Sequence, residues 1–392
     1  MITLGHVVDS IAPAGITVVR DRLLEMQAQG RKVYRLEMGD PSFPVPEHIL
    51  EAIKRALDKG HTHYLPVAGI KPLREAIHRK LTEENRIPVK DPNHVLVTTG
   101  AMNALFVTFM ALVNPGDEIL VSDPAWTETA DNVVLVRGVP VRVPLAERSG
   151  YRMEPGALEA AVTSRTRAIV INTPHNPTGL VVDDKTLAEI LKIAERHALW
   201  VISDEAYEHI LFDQRRHVSA GSLGYDKVIS VFSMSKSYAM SGLRVGYLAC
   251  NDDLLIQRMT KLLRSTTNGV NSATQHGAIA ALTGPQDETR RMATEYQMRR
   301  EALWENLRGV KVFHSFKPQG AFYLWARIDD NWTDPAGRRG GWAMTEYLIE
   351  TASIGSAPGE SFGPSGQGHV RLSFACATEQ VKTAAKLLTE IL

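Results

Sequence analysis

Between about residues 90 and 250 the chain alternates short β-branched, apolar runs with longer stretches of helical periodicity. Strands are predicted at 95–98, 118–122, 139–144, 168–172, 200–203, 228–232 and 245–250. Several are apolar at every position, as expected for a parallel sheet covered on both faces. Helices fit between them, for example at 101–113 and 187–197. This is an α/β, doubly wound layout. Beyond residue 252 the texture changes to long helical stretches, including about 289–307, and then to a smaller set at 321–327, 342–351, 370–374 and 379–392. A first helix (16–29) and strand (33–37) are expected to join that smaller set, which puts a cleft between two domains. The expected division is 1–45 as an N-terminal segment of the small domain, 46–285 as the large domain and 286–392 as the small α+β domain.

At 392 residues the chain exceeds one ordinary core, in keeping with this division. Lys+Arg and Asp+Glu balance at 44 each, so no electrostatic footprint for nucleic acid or an anionic membrane exists. The most apolar run, 101–113, is too short to span a bilayer. Only Cys250 and Cys376 are present, which fits a reducing compartment. With no basic segment and apolar core in the first ten residues, no signal peptide is read and a cytoplasmic location is expected.

In open α/β sheets, functional groups sit just beyond the carboxyl ends of the strands. Four strand ends here carry polar clusters. The first runs into Thr99-Gly100-Ala101-Met102 and a helix, so free N–H groups and the helix dipole would face an anion. The second is Asn172-Thr173-Pro174-His175-Asn176-Pro177-Thr178-Gly179, where two prolines stiffen the backbone around Asn176. The third, Ser203-Asp204-Glu205-Ala206-Tyr207, puts an aspartate at a buried strand end, costly unless it meets a cation or several donors. The fourth is Ser233-Met234-Ser235-Lys236, with Arg244 eight positions after the lysine. Taken singly, these read as a tight turn, a rigid turn, a helix N-cap and a solvated lysine. Taken together they suit one group. A lysine with a lowered pKa forms an imine with a carbonyl, and serines with an arginine fork bind a phosphate. Pyridoxal phosphate carries both. In this reading Lys236 holds the aldehyde, Asp204 keeps the pyridine nitrogen protonated, and Asn176 and Tyr207 bond the phenolic oxygen.

At this point the chain resembles a class I aminotransferase of fold type I, and is similar to the short bacterial aspartate aminotransferase subgroup. The resemblance runs from Gly39-Asp40-Pro41-Ser42-Phe43-Pro44 through Tyr64-Leu65-Pro66-Val67-Ala68-Gly69, Asn176 to Gly179, Asp204 to Tyr207 and Gly320-Ala321-Phe322-Tyr323 to His369-Val370-Arg371-Leu372-Ser373-Phe374-Ala375. It implies a large cofactor-binding domain with a mostly parallel seven-stranded sheet between helices, beside a smaller α+β domain. It also implies that Lys236 shuttles the substrate Cα proton and that Trp126 stacks on the pyridine ring. Arg244, Ser233 and the backbone at Gly100, Ala101 and Met102 would bind phosphate, with help from Ser235. Tyr64 would reach that phosphate from the neighbouring subunit of a homodimer. Arg371 would clamp the substrate α-carboxylate with the backbone at Gly39, and Trp126 and Asn176 would also touch the substrate. The activity implied is ping-pong transfer of an amino group from an L-amino acid to a 2-oxo acid, with glutamate and 2-oxoglutarate as one pair.

Three positions depart from the subgroup's pattern. Met102 stands where aspartate-specific relatives commonly carry a lysine, Leu243 replaces a usual tryptophan, and His175 replaces an asparagine or glycine. His175 is expected to be a satisfied polar neighbour, and His61 and His63, with no third ligand cluster, to be solvated or interfacial rather than metal-binding. The alternative activity keeps the cofactor and diverts the substrate carbanion to β-elimination, cyclisation or oxidation, which the fold does not decide. Other classes fit poorly. Ser233-x-x-Lys236 lacks the Ser-Asp-Asn and Lys-Thr-Gly partners of a serine acyltransferase. A cofactor-sensing regulator would need a basic DNA-binding domain in front. A nicotinamide dehydrogenase needs Gly-x-Gly-x-x-Gly after an early strand; the glycine cluster 363–368 is late, wrongly spaced, and reads as a mobile loop.

Overall fold

The computed structural model describes residues 6–11 and 15–392, so residues 1–5, part of the stretch read above for a signal peptide, lie outside it. The seven expected large-domain strands form one sheet in the order Val95–Thr98, Gly246–Ala249, Val228–Ser233, Trp200–Asp204, Thr166–Asn172, Glu118–Asp123, Val139–Pro144. Six run parallel. Gly246–Ala249 runs antiparallel between Val95–Thr98 and Val228–Ser233. The central strands are buried along almost their whole length, because helices cover both faces: Gly100–Leu112 and Asp253–Thr266 share one apolar cluster, and Asp184–Arg196 belongs to another. This is the mostly parallel α/β sheet of fold type I.

The remaining strands form a four-stranded antiparallel sheet in the order Ala357–Pro358, His369–Ser373, Tyr323–Ile328, Phe313–Ser315. Helices Asp287–Leu307, Gly340–Ala352 and Thr378–Ile391 pack on it around Leu303, Leu348 and Leu388, all fully buried. The strand Tyr34–Arg35 pairs in parallel with Ile354–Gly355, tying the N-terminal segment to this unit.

Local chemistry accounts for the differences from expectation. The helix expected from 187 begins at Asp184, because the Asp183 carboxylate accepts the Thr186 N–H and caps an additional turn. The strand expected over 33–37 is only two residues long, since its partner ends at Gly355. That expected from 321 starts at Tyr323, because Ala321 adopts a left-handed conformation (φ 54°). The expected mobile loop 363–368 is a packed turn. Gly366 is buried against Gly359, and Ser365 donates both its N–H and its hydroxyl to Asp123 Oδ2. Distant partners, invisible along the chain, hold it.

Candidate active site

Sheet register places the polar strand ends side by side. Asn172 is paired with Asp204, Asp204 with Val231, Ser233 with Gly246, and Gly246 with Thr98. The carboxyl ends therefore face one cleft of about 450 Å³, roofed by Tyr323 and Arg371 from the four-stranded sheet.

Lys236 lies in the short helix Met234–Ser237, one turn past its strand, and its Nζ donates to the Gly39 carbonyl at 2.7 Å. Burial pushes its amine down to about 8, partly offset by Asp40, while Arg371 and Arg244 push it further down. Asp204 is buried, and that burial raises its carboxyl to about 6 despite the Ala206 N–H donated at 3.2 Å. Among the described residues no cation forms an ion pair with it. Asn172 was missed as a site residue. Its amide accepts from the Asn176 N–H (2.8 Å) and donates to the Asp204 carbonyl (3.1 Å), clamping the two segments together. It stands at the head of the 172–179 motif, but only register shows what it clamps.

Arg371 is 1% exposed and makes no ion pair among the described residues. Its two terminal nitrogens donate to Asn176 Oδ1 (2.9 Å) and the Glu37 carbonyl (2.6 Å), and its Nε has no partner. The guanidinium lies 4.2 Å over the Tyr323 ring. Tyr323, the other missed residue, shares a 2.9 Å hydrogen bond with the Tyr207 hydroxyl. It also explains Gly39, since any Cβ there would collide with the Tyr323 hydroxyl. The Gly320 to Tyr323 block was legible, but the tyrosine's reach across the cleft was not.

At the other end of the cleft, Arg244 takes a left-handed conformation (φ 53°) and donates to the Ser241 carbonyl at 2.7 Å. A Cβ on Gly100 would come within 2.7 Å of its Nη2, so only glycine lets the guanidinium sit over the start of the helix Gly100–Leu112. Gly246 is likewise required, because a Cβ there would come within 2.7 Å of the Ala101 nitrogen. Ser233 caps the lysine helix by accepting the Ser235 N–H at 3.1 Å, and both serines line the cleft beside Ala101 and Met102. Trp126 lines it from the start of helix Thr127–Leu135. Serine hydroxyls, helix N–H groups and an arginine form the donor set a phosphate takes, and a lysine and a carboxylate stand beyond it, so these residues fit pyridoxal phosphate.

Tyr64 does not reach this cleft within its own chain. It is 89% exposed in a surface groove with Thr62, Leu65 and Asn271. His61 lies against His276 with ring centroids 4.3 Å apart and the planes tilted by 37°. His175 is buried between Ser122 Oγ (3.2 Å) and Thr178 Oγ1 (2.8 Å), and burial lowers its pKa to about 4, leaving it neutral and satisfied.

A doubly wound sheet whose strand ends converge on a half-buried lysine, below a cleft roofed by a second sheet, defines an α/β cleft enzyme. More specifically, the chain belongs to the family described as aminotransferase class I and II, whose model matches residues 31–388, and it is a transaminase. The family is pyridoxal-phosphate-dependent. The aspartate aminotransferase of Geobacillus stearothermophilus is 33% identical over 98% of this chain and 97% of its own. A solved aspartate aminotransferase of Thermus thermophilus with maleate superposes with a TM-score of 0.92, at 34% identity over 100% of both chains. The aromatic aminotransferase of Pyrococcus horikoshii superposes with a TM-score of 0.87, at 37% identity over 94% of this chain and 98% of that one. Among the described residues no helix is long and apolar enough to cross a membrane.

Proposed function

We propose that this transaminase binds pyridoxal phosphate at Lys236 and moves an amino group from an L-amino acid to a 2-oxo acid by a ping-pong route, with glutamate and 2-oxoglutarate as one pair. The observation that carries the reading is a charge census. Lys236, Arg244 and Arg371 all face one cleft, and among the described residues none of them is ion-paired. Arg371 is buried and Lys236 half-buried, and a desolvated, unpaired cation is costly until an anionic ligand arrives; Arg244 is exposed and offers its charge without that cost. Arg371 presents a planar fork suited to a carboxylate, and Arg244 completes a phosphate cradle.

Bound in this cleft, the cofactor supplies an aldehyde and an electron-withdrawing ring. Lys236 provides the amine for the first and then holds the substrate Cα proton. A fall from 10.5 to about 8 raises its free-amine fraction near neutrality about three hundredfold. Asp204 faces the ring nitrogen, where a protonated partner would restore its charged form. Tyr207 and Asn176 would hold the phenolic oxygen, and Trp126 would lie against the ring. Ser233, Ser235, Arg244 and the N–H groups at Gly100, Ala101 and Met102 bind the phosphate. Arg371 and the Gly39 backbone orient the α-carboxylate, and Asn176 supports Arg371 directly. Tyr64, exposed in its own chain, completes the phosphate site of a second copy, so the working unit is a homodimer. The division 1–45, 46–285 and 286–392 separates the cofactor platform from the carboxylate roof. Two free cysteines are consistent with a cytoplasmic enzyme.

The test is a spectral titration of the cofactor-loaded protein with single amino acids and no oxo acid. One equivalent of aminated cofactor and one of 2-oxo acid per site are expected. Continued release of ammonia or peroxide would replace transamination with the lyase or oxidase alternative.

A further inference from the structure

The same census extends to the substrate side chain, and this step rests on the transaminase reading above. The cleft contains three cations among its described residues, and each has a task. Lys236 takes the carbonyl, Arg244 the phosphate and Arg371 the α-carboxylate. No fourth lysine or arginine lines the cleft. Of its two carboxylates, Asp204 is committed to the ring. The charge left over is Asp40, exposed at the cleft and accepting the Ser241 hydroxyl at 2.5 Å. The residual charge that this chain itself brings to the cleft is therefore negative.

The remaining wall is apolar. Ile16 comes from the first helix, Met38 from the segment before Gly39, and Met102 and Leu105 from the first turns of helix Gly100–Leu112. Leu105 is 2% exposed, whereas Met102 and Ile16 are half-buried and have surface to offer. The Met102 thioether is not idle: the buried Asn132 amide donates to its sulphur at 3.2 Å, which orients the side chain. An unbranched, polarizable thioether beside aliphatic groups adapts to varied apolar shapes. A second carboxylate against this wall would lose water without gaining a partner.

We propose that the side-chain subsite, built from Ile16, Met38, Met102 and Leu105, selects amino acids with neutral, apolar side chains, aliphatic or aromatic, over aspartate. Glutamate meets the same wall and is expected to bind more weakly than an apolar donor, with its extra methylene against that wall.

Equilibrium binding to the cofactor-loaded enzyme separates this inference from the reading beneath it, because inert acids need no turnover. Calorimetry would compare 3-phenylpropionate, with one carboxylate and an apolar tail, against maleate, with two carboxylates. The apolar acid is expected to bind at least about tenfold more tightly, the scale set by one hydrophobic contact or one unpaired polar group. Half-reaction specificity constants for leucine, methionine and phenylalanine should exceed that for aspartate by a similar factor. Met102→Lys should raise maleate affinity by about tenfold and weaken 3-phenylpropionate binding, while an unchanged circular dichroism spectrum and melting temperature confirm that the variant is folded. Maleate or aspartate equal to or better than the apolar ligands would overturn the inference. If no amino acid of either class aminates the cofactor, the transaminase reading fails, and the ratio of the two inert acids still decides the wall's preference.

Discussion

Replacing Lys236 with methionine should stabilise the cofactor-free protein at neutral pH while abolishing transamination. Burial lowers the lysine from 10.5 to about 8, so the folded chain carries a desolvated ammonium at pH 7. At 1.36 kcal/mol per unit, that penalty is roughly 3 kcal/mol, an upper bound because Lys236 is partly open to the cleft. Methionine has nearly the same length, removes the charge and gives up the hydrogen bond to the Gly39 carbonyl, worth about 1 kcal/mol. A net gain of about 2 kcal/mol remains, a rise of a few °C in Tm for a chain this large. The pH dependence is the sharper criterion. With the folded pKa below the unfolded one, the unfolded chain binds more protons between about 8 and 10.5, so wild-type stability rises with pH there. It is fully restored above 10.5 and lost as the pH falls through about 8. The variant's advantage should therefore be complete at pH 7 and vanish at pH 10, where the remaining penalty of under about 1 kcal/mol only matches the lost hydrogen bond. Thermal unfolding of both cofactor-free proteins, at equal concentration and at the two pH values, measures it. An unchanged or lower Tm at pH 7, or a gain equal at both pH values, refutes the desolvation argument.

Arg371→Lys keeps the charge but loses the planar fork that spans Asn176 and the Glu37 carbonyl. The KM for the amino donor should rise about 10- to 100-fold with the cofactor spectrum unchanged, and an unaltered KM would remove Arg371 from carboxylate binding. Away from the cleft, Lys80 is buried and donates to both oxygens of Glu208, whose carboxyl is lowered to about 2 although burial alone would raise it. Lys80→Met should cost about 3–5 kcal/mol by stranding the carboxylate, and adding Glu208→Leu should recover most of it. Thermal unfolding of the single and double variants decides between a pair that matters and two independent surface-like charges.

The pattern along the chain was enough to predict the seven large-sheet strands: the inner ones are buried on both faces and so apolar at nearly every position, and the edge strand Val139–Pro144, half-buried along its middle, shows in its alternate valines. That Lys236, Asp204, Ser233 and Arg244 would meet at one cleft was also legible, since strand ends in such sheets are where polar side chains converge. What the chain could not reveal depends on partners far away in sequence. Asn172 looks like any loop asparagine until register sets it against Asp204. Tyr323 looks like a core aromatic until its hydroxyl is seen beside Tyr207 and Gly39. The loop 363–368 reads as mobile until Asp123 is found holding Ser365. Local composition determines which elements form and which chemical groups they carry. Only the tertiary structure decides which groups share a cleft and which are already paired, because hydrogen bonding and desolvation depend on proximity in space.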